Sequence, residues 1–66
     1  MNEEESVLGL LFKQIEDEKA ATTAALNGGS AKDYAEYRWL CGNIYGLAVA
    51  QARINEMVDR LRKQSE

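Results

Sequence analysis

The chain contains no proline and no histidine, and its 66 residues include a single cysteine, Cys41. Because proline is absent, no position forbids a long helix. One thiol excludes a disulfide framework, and a chain with one thiol and no imidazole lacks the ligands of a structural zinc site. Free cysteine on an apolar helix packs as a small hydrophobe, so we interpret Cys41 in that way rather than as a reactive thiol.

Side chains suited to catalysis are equally scarce. No histidine can serve as a base near neutral pH, and Cys41 has no imidazole to activate it. The carboxylates of residues 16–18 are adjacent in sequence and fan around a helix instead of converging. Gly28 and Gly29 lack the lysine and hydroxyl residue of a phosphate-binding loop. We therefore expect a protein that is not an enzyme and that binds no cofactor and no metal.

Long apolar runs are also missing, since no segment approaches the roughly 20 apolar residues that cross a bilayer. The first residues are acidic where a secretory signal peptide needs a basic region, and the formal net charge is −3. The basic residues near the end of the chain are too few to predict a nucleic-acid site, and they match the acidic first helix in charge. We expect a soluble, intracellular protein with no membrane partner.

Two helices are predicted on either side of one strong breaker, Asn27-Gly28-Gly29. The first spans about residues 5–26 and ends where Gly28 adopts the left-handed conformation. The second spans about residues 32–63, and its first turn is capped by Ser30 or by Asp33, which has Glu36 three residues later. The predicted fold class is all-α, with residues 1–66 forming one antiparallel two-helix hairpin.

An apolar seam runs along the second helix. Spacings of three and four residues alternate over more than three heptads, which is typical of a coiled-coil seam. Its one polar member, Gln51, either fixes the register as a polar core residue or lies partly exposed. The seam comprises Tyr37, Leu40, Ile44, Leu47, Gln51, Ile54, Val58 and Leu61.

The predicted first helix is shorter than the second. Counted from the loop, Leu8 is expected near Ala48 or Gln51, and the first helix then runs out into acidic residues 3–5. The end of the second helix would lack an apolar partner within the chain, although burying each such side chain contributes about 1.5–3 kcal/mol. We therefore expect a second chain to cover it in a helical bundle or coiled-coil oligomer. The residues concerned are Ile54, Met57, Val58 and Leu61.

The opposite face of the second helix carries Gly42 and Gly46, each of which costs a helix about 1 kcal/mol relative to alanine. Close approach by another backbone is the usual reason for such a pair. One alternative is that the alanine-rich end of the first helix covers the glycines. The other, which we favour because aromatic residues flank them, is contact with another subunit or a larger partner. The stripe comprises Trp39, Gly42, Tyr45, Gly46 and Val49, with Arg53 next in line.

Two tyrosines, Tyr34 and Tyr37, open the second helix beside Arg38. They either stack on a base or a partner's side chain, or cover the loop end of the hairpin with their hydroxyls in water. We favour the second interpretation.

Two stretches share a pattern of glycines and aromatic residues: Gly29-Ser30-Ala31-Lys32-Asp33-Tyr34-Ala35-Glu36-Tyr37-Arg38 and Cys41-Gly42-Asn43-Ile44-Tyr45-Gly46-Leu47. Together they resemble a group of small proteins of tailed bacteriophages, whose genes tend to lie among head and DNA-packaging genes. Members have a helix, a glycine-containing turn, a DYAEYR-like start and a G-x-I-x-G-L stretch. The resemblance covers residues 15–62, and residues 6–12 depart from the pattern. The matching positions are Asp33, Tyr34, Tyr37, Gly42 and Gly46.

The resemblance implies a role in the virion or its assembly and supplies no catalytic residue. With the two packing faces, it predicts a bacteriophage structural or assembly protein, in the host cytoplasm or on the virion. Such a protein would form a homo-oligomer and dock on the head, the portal or the packaging apparatus. The alternative is a small phage-encoded regulator or inhibitor that binds a host protein, which suits the acidic first helix. Nucleic-acid binding through residues 53–63 and the tyrosines is a third hypothesis, and the net charge argues against it.

Overall fold

The computed structural model describes residues 3–65, except for the side chain of residue 65, and consists of two helices. α1 spans Glu3–Asn27 and α2 spans Tyr34–Ser65, joined by a linker of residues 28–33. These residues contain no strand, so the predicted all-α hairpin is confirmed. α1 begins two residues earlier than predicted, because the carboxylates of residues 3–5 favour the positive end of the helix dipole. α2 begins and ends two residues later than predicted.

α1 ends in a Schellman motif. The Ser30 amide donates to the Ala25 carbonyl at 3.1 Å, and the Gly29 amide donates to the Leu26 carbonyl at 3.2 Å. Gly29 has a φ of 75°, the left-handed conformation that a Cβ disfavours. The prediction that Gly28 holds this position is wrong by one residue, because the Gly28 amide still makes a helical bond of 2.9 Å.

Asp33 caps the start of α2. Its Oδ1 accepts a hydrogen bond from the Glu36 amide at 2.8 Å, and its carbonyl accepts one from the Tyr37 amide at 3.0 Å. The Glu36 carboxylate in turn accepts from the Lys32 amide at 3.3 Å. Of the two predicted caps, Asp33 with Glu36 is therefore the one that forms, whereas Ser30 belongs to the end of α1.

Two contacts between the helices define the register of the hairpin. The Arg62 guanidinium donates to the Glu5 carboxylate at 2.8 Å, and the Gln51 amide donates to the Glu16 carboxylate at 2.6 Å. Eleven residues separate the two positions on each helix, so the antiparallel register is constant between them. Continued for eleven more residues, the same register brings the last residue of α1 level with Leu40.

The start of α2, residues 34–39, therefore extends past the end of α1, and we call this segment the overhang. Six helical residues rise about 9 Å, and the linker is long enough to climb that distance before α2 begins. The prediction from sequence places an overhang at the other end of α2. It takes α2 to begin level with the last residue of α1. That prediction is wrong: Leu8 lies beside Met57 and Leu61, not beside Ala48 or Gln51.

Ile54 is consequently covered within the chain. Leu40 at 9% exposed and Ile54 at 8% exposed are the buried hydrophobic residues of the described chain. Val58 and Leu61 are partly buried, and Met57 is exposed. The expectation that Ile54 lacks an apolar partner within the chain is wrong, because the observed register places Ile54 level with residue 13, in the middle of α1.

Gln51, at 5% exposed, is buried on the same seam of α2. Its Oε1 accepts from the Lys19 Nζ at 2.7 Å, and its Nε2 donates to Glu16 at 2.6 Å and lies 3.5 Å from the Phe12 carbonyl oxygen. Lys19 and Glu16 are 3.4 Å apart, so an ion pair of α1 holds the amide from both sides. Of the two predicted roles of Gln51, partial exposure is excluded. A buried amide favours one register, because a slip would leave it unpaired.

The stability of the hairpin is expected to depend on the charge of Glu16. The hydrogen bond from Gln51 and the charge of Lys19 lower the pKa of Glu16 below its ordinary value of 4.5. A carboxylate with a lowered pKa stabilises the fold above its unfolded pKa, and this contribution is lost as the pH falls through the folded pKa. We expect the melting temperature to decrease as the pH falls below the ordinary glutamate pKa of 4.5, and Glu16→Gln to flatten that decrease.

Thermal unfolding followed by circular dichroism at each pH measures this dependence. Glu18→Gln, which removes an exposed carboxylate of the same helix, is the control and should leave the slope as in the wild type. If the Glu16→Gln curve runs parallel to the wild-type curve, the contact with Gln51 does not stabilise the fold.

Candidate interaction surface

The outer face of α2, defined as Trp39, Gly42, Tyr45, Gly46 and Val49, is exposed along its length. Helical spacing places it on the side opposite the seam that contacts α1. Trp39 and Tyr45 are each 66% exposed. The structure thus brings these predicted residues together on one open surface.

Gly42 and Gly46 face open space. Apart from the backbone of α2 and the residues on either side of each glycine, no described atom lies within 4 Å of the point where a Cβ would stand on either glycine. The alternative in which the alanine-rich end of α1 covers the glycines is therefore wrong, because α1 packs on the other side of α2. No contact in the described chain offsets the helix-propensity cost of the two glycines.

The overhang carries further exposed aromatic residues. The rings of Tyr34 and Tyr37 stack with their centroids 6.3 Å apart and their planes 22° apart. Arg38 Nη1 lies 3.5 Å from the Tyr34 hydroxyl oxygen, and the Asn43 side-chain amide donates to the Trp39 carbonyl at 2.9 Å. Both tyrosine rings are exposed, because the overhang lies past the last residue of α1.

An apolar groove of about 590 Å³ opens between the helices at the other end of the hairpin. Its apolar walls are Val7 and Leu8 of α1 and Met57 and Leu61 of α2, with residues 3, 4 and 64 at its rim. Val7 and Met57 are exposed. The groove therefore presents apolar surface that the hairpin does not bury.

Val7 is not among the residues predicted from the sequence, although a signal for it is present. Residues 7–12 contain more apolar side chains than one amphipathic face can hold, so some must point outward. The structure leaves Val7, Leu10 and Leu11 exposed. Which of them lines a groove depends on the register with α2, which the pattern of α1 alone does not contain.

Charged groups of the described chain pair along its surface and converge on no site. The Lys13 ammonium donates to Asp17 at 2.6 Å, and this hydrogen bond together with the carboxylate charge raises the pKa of Lys13. Arg53 lies 3.0 Å from Glu56. No cluster of side chains in residues 3–65 is arranged to hold a metal ion. Neither α1 nor α2 combines the length and the apolar character needed to cross a membrane.

Comparison with known proteins gives no match: no family model, no curated protein and no solved structure is similar to the chain at a significant level. The interpretation of function therefore depends on the surfaces described above and on the pattern of residues 29–38 and 41–47.

Proposed function

We propose that the chain is a non-enzymatic bacteriophage assembly protein, a helical hairpin that self-associates and docks on a larger virion component such as the head, the portal or the packaging apparatus. The observation that carries the proposal is the amount of apolar surface left exposed by a chain that buries few side chains. The phage context comes from the resemblance of residues 29–38 and 41–47.

The accessible surface is large for the mass of the chain. It measures 5049 Å², whereas a compact monomer of 7.4 kDa exposes about 4200 Å². The excess of roughly 800 Å² is what one partner contributes to a stable protein interface of standard size. A hairpin whose Cα atoms extend over 50 × 14 × 11 Å thus exposes enough surface to form an interface of standard size with another chain.

The exposed surface is rich in large apolar side chains on both helices and at both ends of the hairpin. Contiguous patches of such residues mark protein interfaces. This distribution suits a protein that contacts both its own copies and a larger component. The residues are Val7, Leu10, Leu11, Tyr34, Tyr37, Trp39, Tyr45, Val49 and Met57.

Sedimentation equilibrium of the purified chain at tens of micromolar tests self-association. We expect a mass of at least twice 7.4 kDa, with a helical circular dichroism spectrum. A folded chain that remains monomeric at this concentration would refute self-association.

Analysis of purified phage particles tests docking. The protein retained on the head or portal at fixed stoichiometry supports the proposal. Absence from particles, together with stoichiometric binding to one host enzyme, would favour the alternative of a regulator or inhibitor. The exposed aromatic residues of the overhang would serve such a contact equally well.

A further inference from the structure

Four residues of α2 lie on one face and form a symmetric series. Trp39 and Met57 are eighteen residues apart, which is five full turns of an α-helix. Gly46 follows Trp39 by seven residues, and Ala50 precedes Met57 by seven residues, about two turns in each case. The series of large, small, small and large side chains therefore reads the same in both directions about Ala48.

The two ends of this face have complementary shapes. At one end, Trp39 projects from the overhang and is 66% exposed. At the other end, about 27 Å along the helix, Met57 forms one wall of the apolar groove. One face thus presents a large aromatic side chain and, five turns away, an open apolar groove.

We propose that two copies of the chain pair antiparallel about a two-fold axis that passes midway between Gly46 and Ala50, so that Trp39 of each copy enters the groove of the other. The inference rests on the self-association proposed above and names the surface that performs it. A two-fold interface must be its own complement, so that residue i meets residue j and residue j meets residue i. An axis midway between Gly46 and Ala50 brings Trp39 level with Met57 of the partner subunit and Gly46 level with the partner's Ala50.

The small residues explain how the two α2 helices approach each other. Gly46 has open space around it, and the alanine methyl is the smallest side chain, so the backbones come close near the axis. This contact supplies the offset for the helix-propensity cost of Gly46. Close approach at the axis also brings the indole within reach of the groove wall.

The groove and the surplus surface have the size that this dimer needs. A groove of about 590 Å³ accommodates an indole ring, and aromatic side chains seated in pockets are typical anchors of protein interfaces. The excess surface of roughly 800 Å² per chain matches the share of one partner in a standard interface. Tyr45, rotated about 120° from Trp39 around α2, stays outside the dimer and available to the larger virion component.

Trp39→Ala and Tyr45→Ala form a matched pair, because both side chains are 66% exposed on the same helix. We expect Trp39→Ala to raise the dimer dissociation constant about 30-fold or more, as for a central aromatic anchor. Tyr45→Ala should change it by less than about threefold. Sedimentation equilibrium measures both constants, and circular dichroism checks that both variants remain helical.

Trp39 is the only tryptophan of the chain, so its fluorescence reports its own burial. We expect the emission to shift to shorter wavelength as the concentration is raised through the dissociation constant. Met57→Lys places a charge in the groove and leaves Trp39 unsubstituted. It should abolish the wavelength shift at the same concentrations. Met57 is exposed in the hairpin, so this variant should stay folded.

Mixing the two variants tests whether the indole and the groove meet. Trp39→Ala keeps an intact groove and Met57→Lys keeps an intact indole, so a mixed dimer has one complete contact. We expect the mixture to associate more tightly than either variant alone.

Three results would overturn the inference. The first is a wild-type dimer whose dissociation constant changes equally with Trp39→Ala and Tyr45→Ala. The second is a mixture of Trp39→Ala and Met57→Lys that associates no more tightly than either variant alone. In both cases the dimer uses another surface, and the proposal of self-association is unaffected. If the wild-type chain stays monomeric at tens of micromolar, both the dimer and the self-association are wrong.

Discussion

Replacement of Gln51 by alanine is expected to lower the free energy of unfolding by about 2–3 kcal/mol. The substitution removes a buried side chain that bonds Lys19 at 2.7 Å and Glu16 at 2.6 Å. It also leaves a cavity next to Ile54, a buried hydrophobic residue one turn further along α2. Since a chain of this length has a total stability of about 3–10 kcal/mol, the loss is a large part of it.

Gln51→Leu separates the two contributions to that loss. Leucine fills most of the space, and Lys19 and Glu16 are exposed enough to pair with each other and with water. We therefore expect Gln51→Leu to cost less than about 1 kcal/mol. The apolar seam would then have no polar position to oppose a slip in register.

Gln14→Ala is the control, because Gln14 is an exposed glutamine of α1. It should change the free energy of unfolding by no more than about 0.5 kcal/mol. Urea unfolding at one fixed chain concentration compares all three variants, since association would otherwise shift the apparent stability. A Gln51→Ala variant as stable as Gln14→Ala would show that the buried amide contributes nothing.

The hairpin itself could be predicted because two local signals agree. The breaker at residues 27–29 separates two segments without proline, and the second segment keeps an apolar period of three and four residues. Both signals depend only on neighbouring residues, so no knowledge of the tertiary structure is needed to interpret them. The burial of Leu40 on the seam follows from the same period.

The register could not be predicted, because it depends on the path of the linker. Residues 28–33 contain two adjacent glycines, and local sequence does not decide which one takes the positive φ. Gly29 takes it, and the chain then climbs past the end of α1 before Asp33 starts α2. Because of this path, the overhang lies at the start of α2 and not at its predicted position at the end of α2.

The part of the candidate site that lies on one helix could be predicted, and the part that lies between the two helices could not. Trp39 and Tyr45 lie off the apolar seam, so their exposure follows from helical spacing alone. The groove involves Val7 and Met57, which come together only in the observed register. A surface shared by two helices requires the register, whereas a surface on one helix does not.

Gly46→Leu is expected to make the isolated helix more favourable by about 1 kcal/mol and still weaken assembly roughly 10- to 100-fold. In the hairpin, a side chain at Gly46 meets open space, so the substitution relieves a cost without a clash. In the proposed dimer, the same side chain stands at the closest approach of the two α2 helices. Leucine there would hold the backbones apart and withdraw Trp39 from the groove of the other copy.

Gly9→Leu is the matched control. Gly9 is also a helical glycine at which a Cβ would meet open space beyond its own helix backbone and chain neighbours, and it is rotated about 200° from Val7, away from the groove. Both variants should raise the helical content, and only Gly46→Leu should weaken the dimer in sedimentation equilibrium. An unchanged dissociation constant for Gly46→Leu would show that no backbone packs against this glycine. Opposite changes in hairpin stability and in dimer affinity would show that Gly46 favours contact between chains at a cost to the stability of the hairpin.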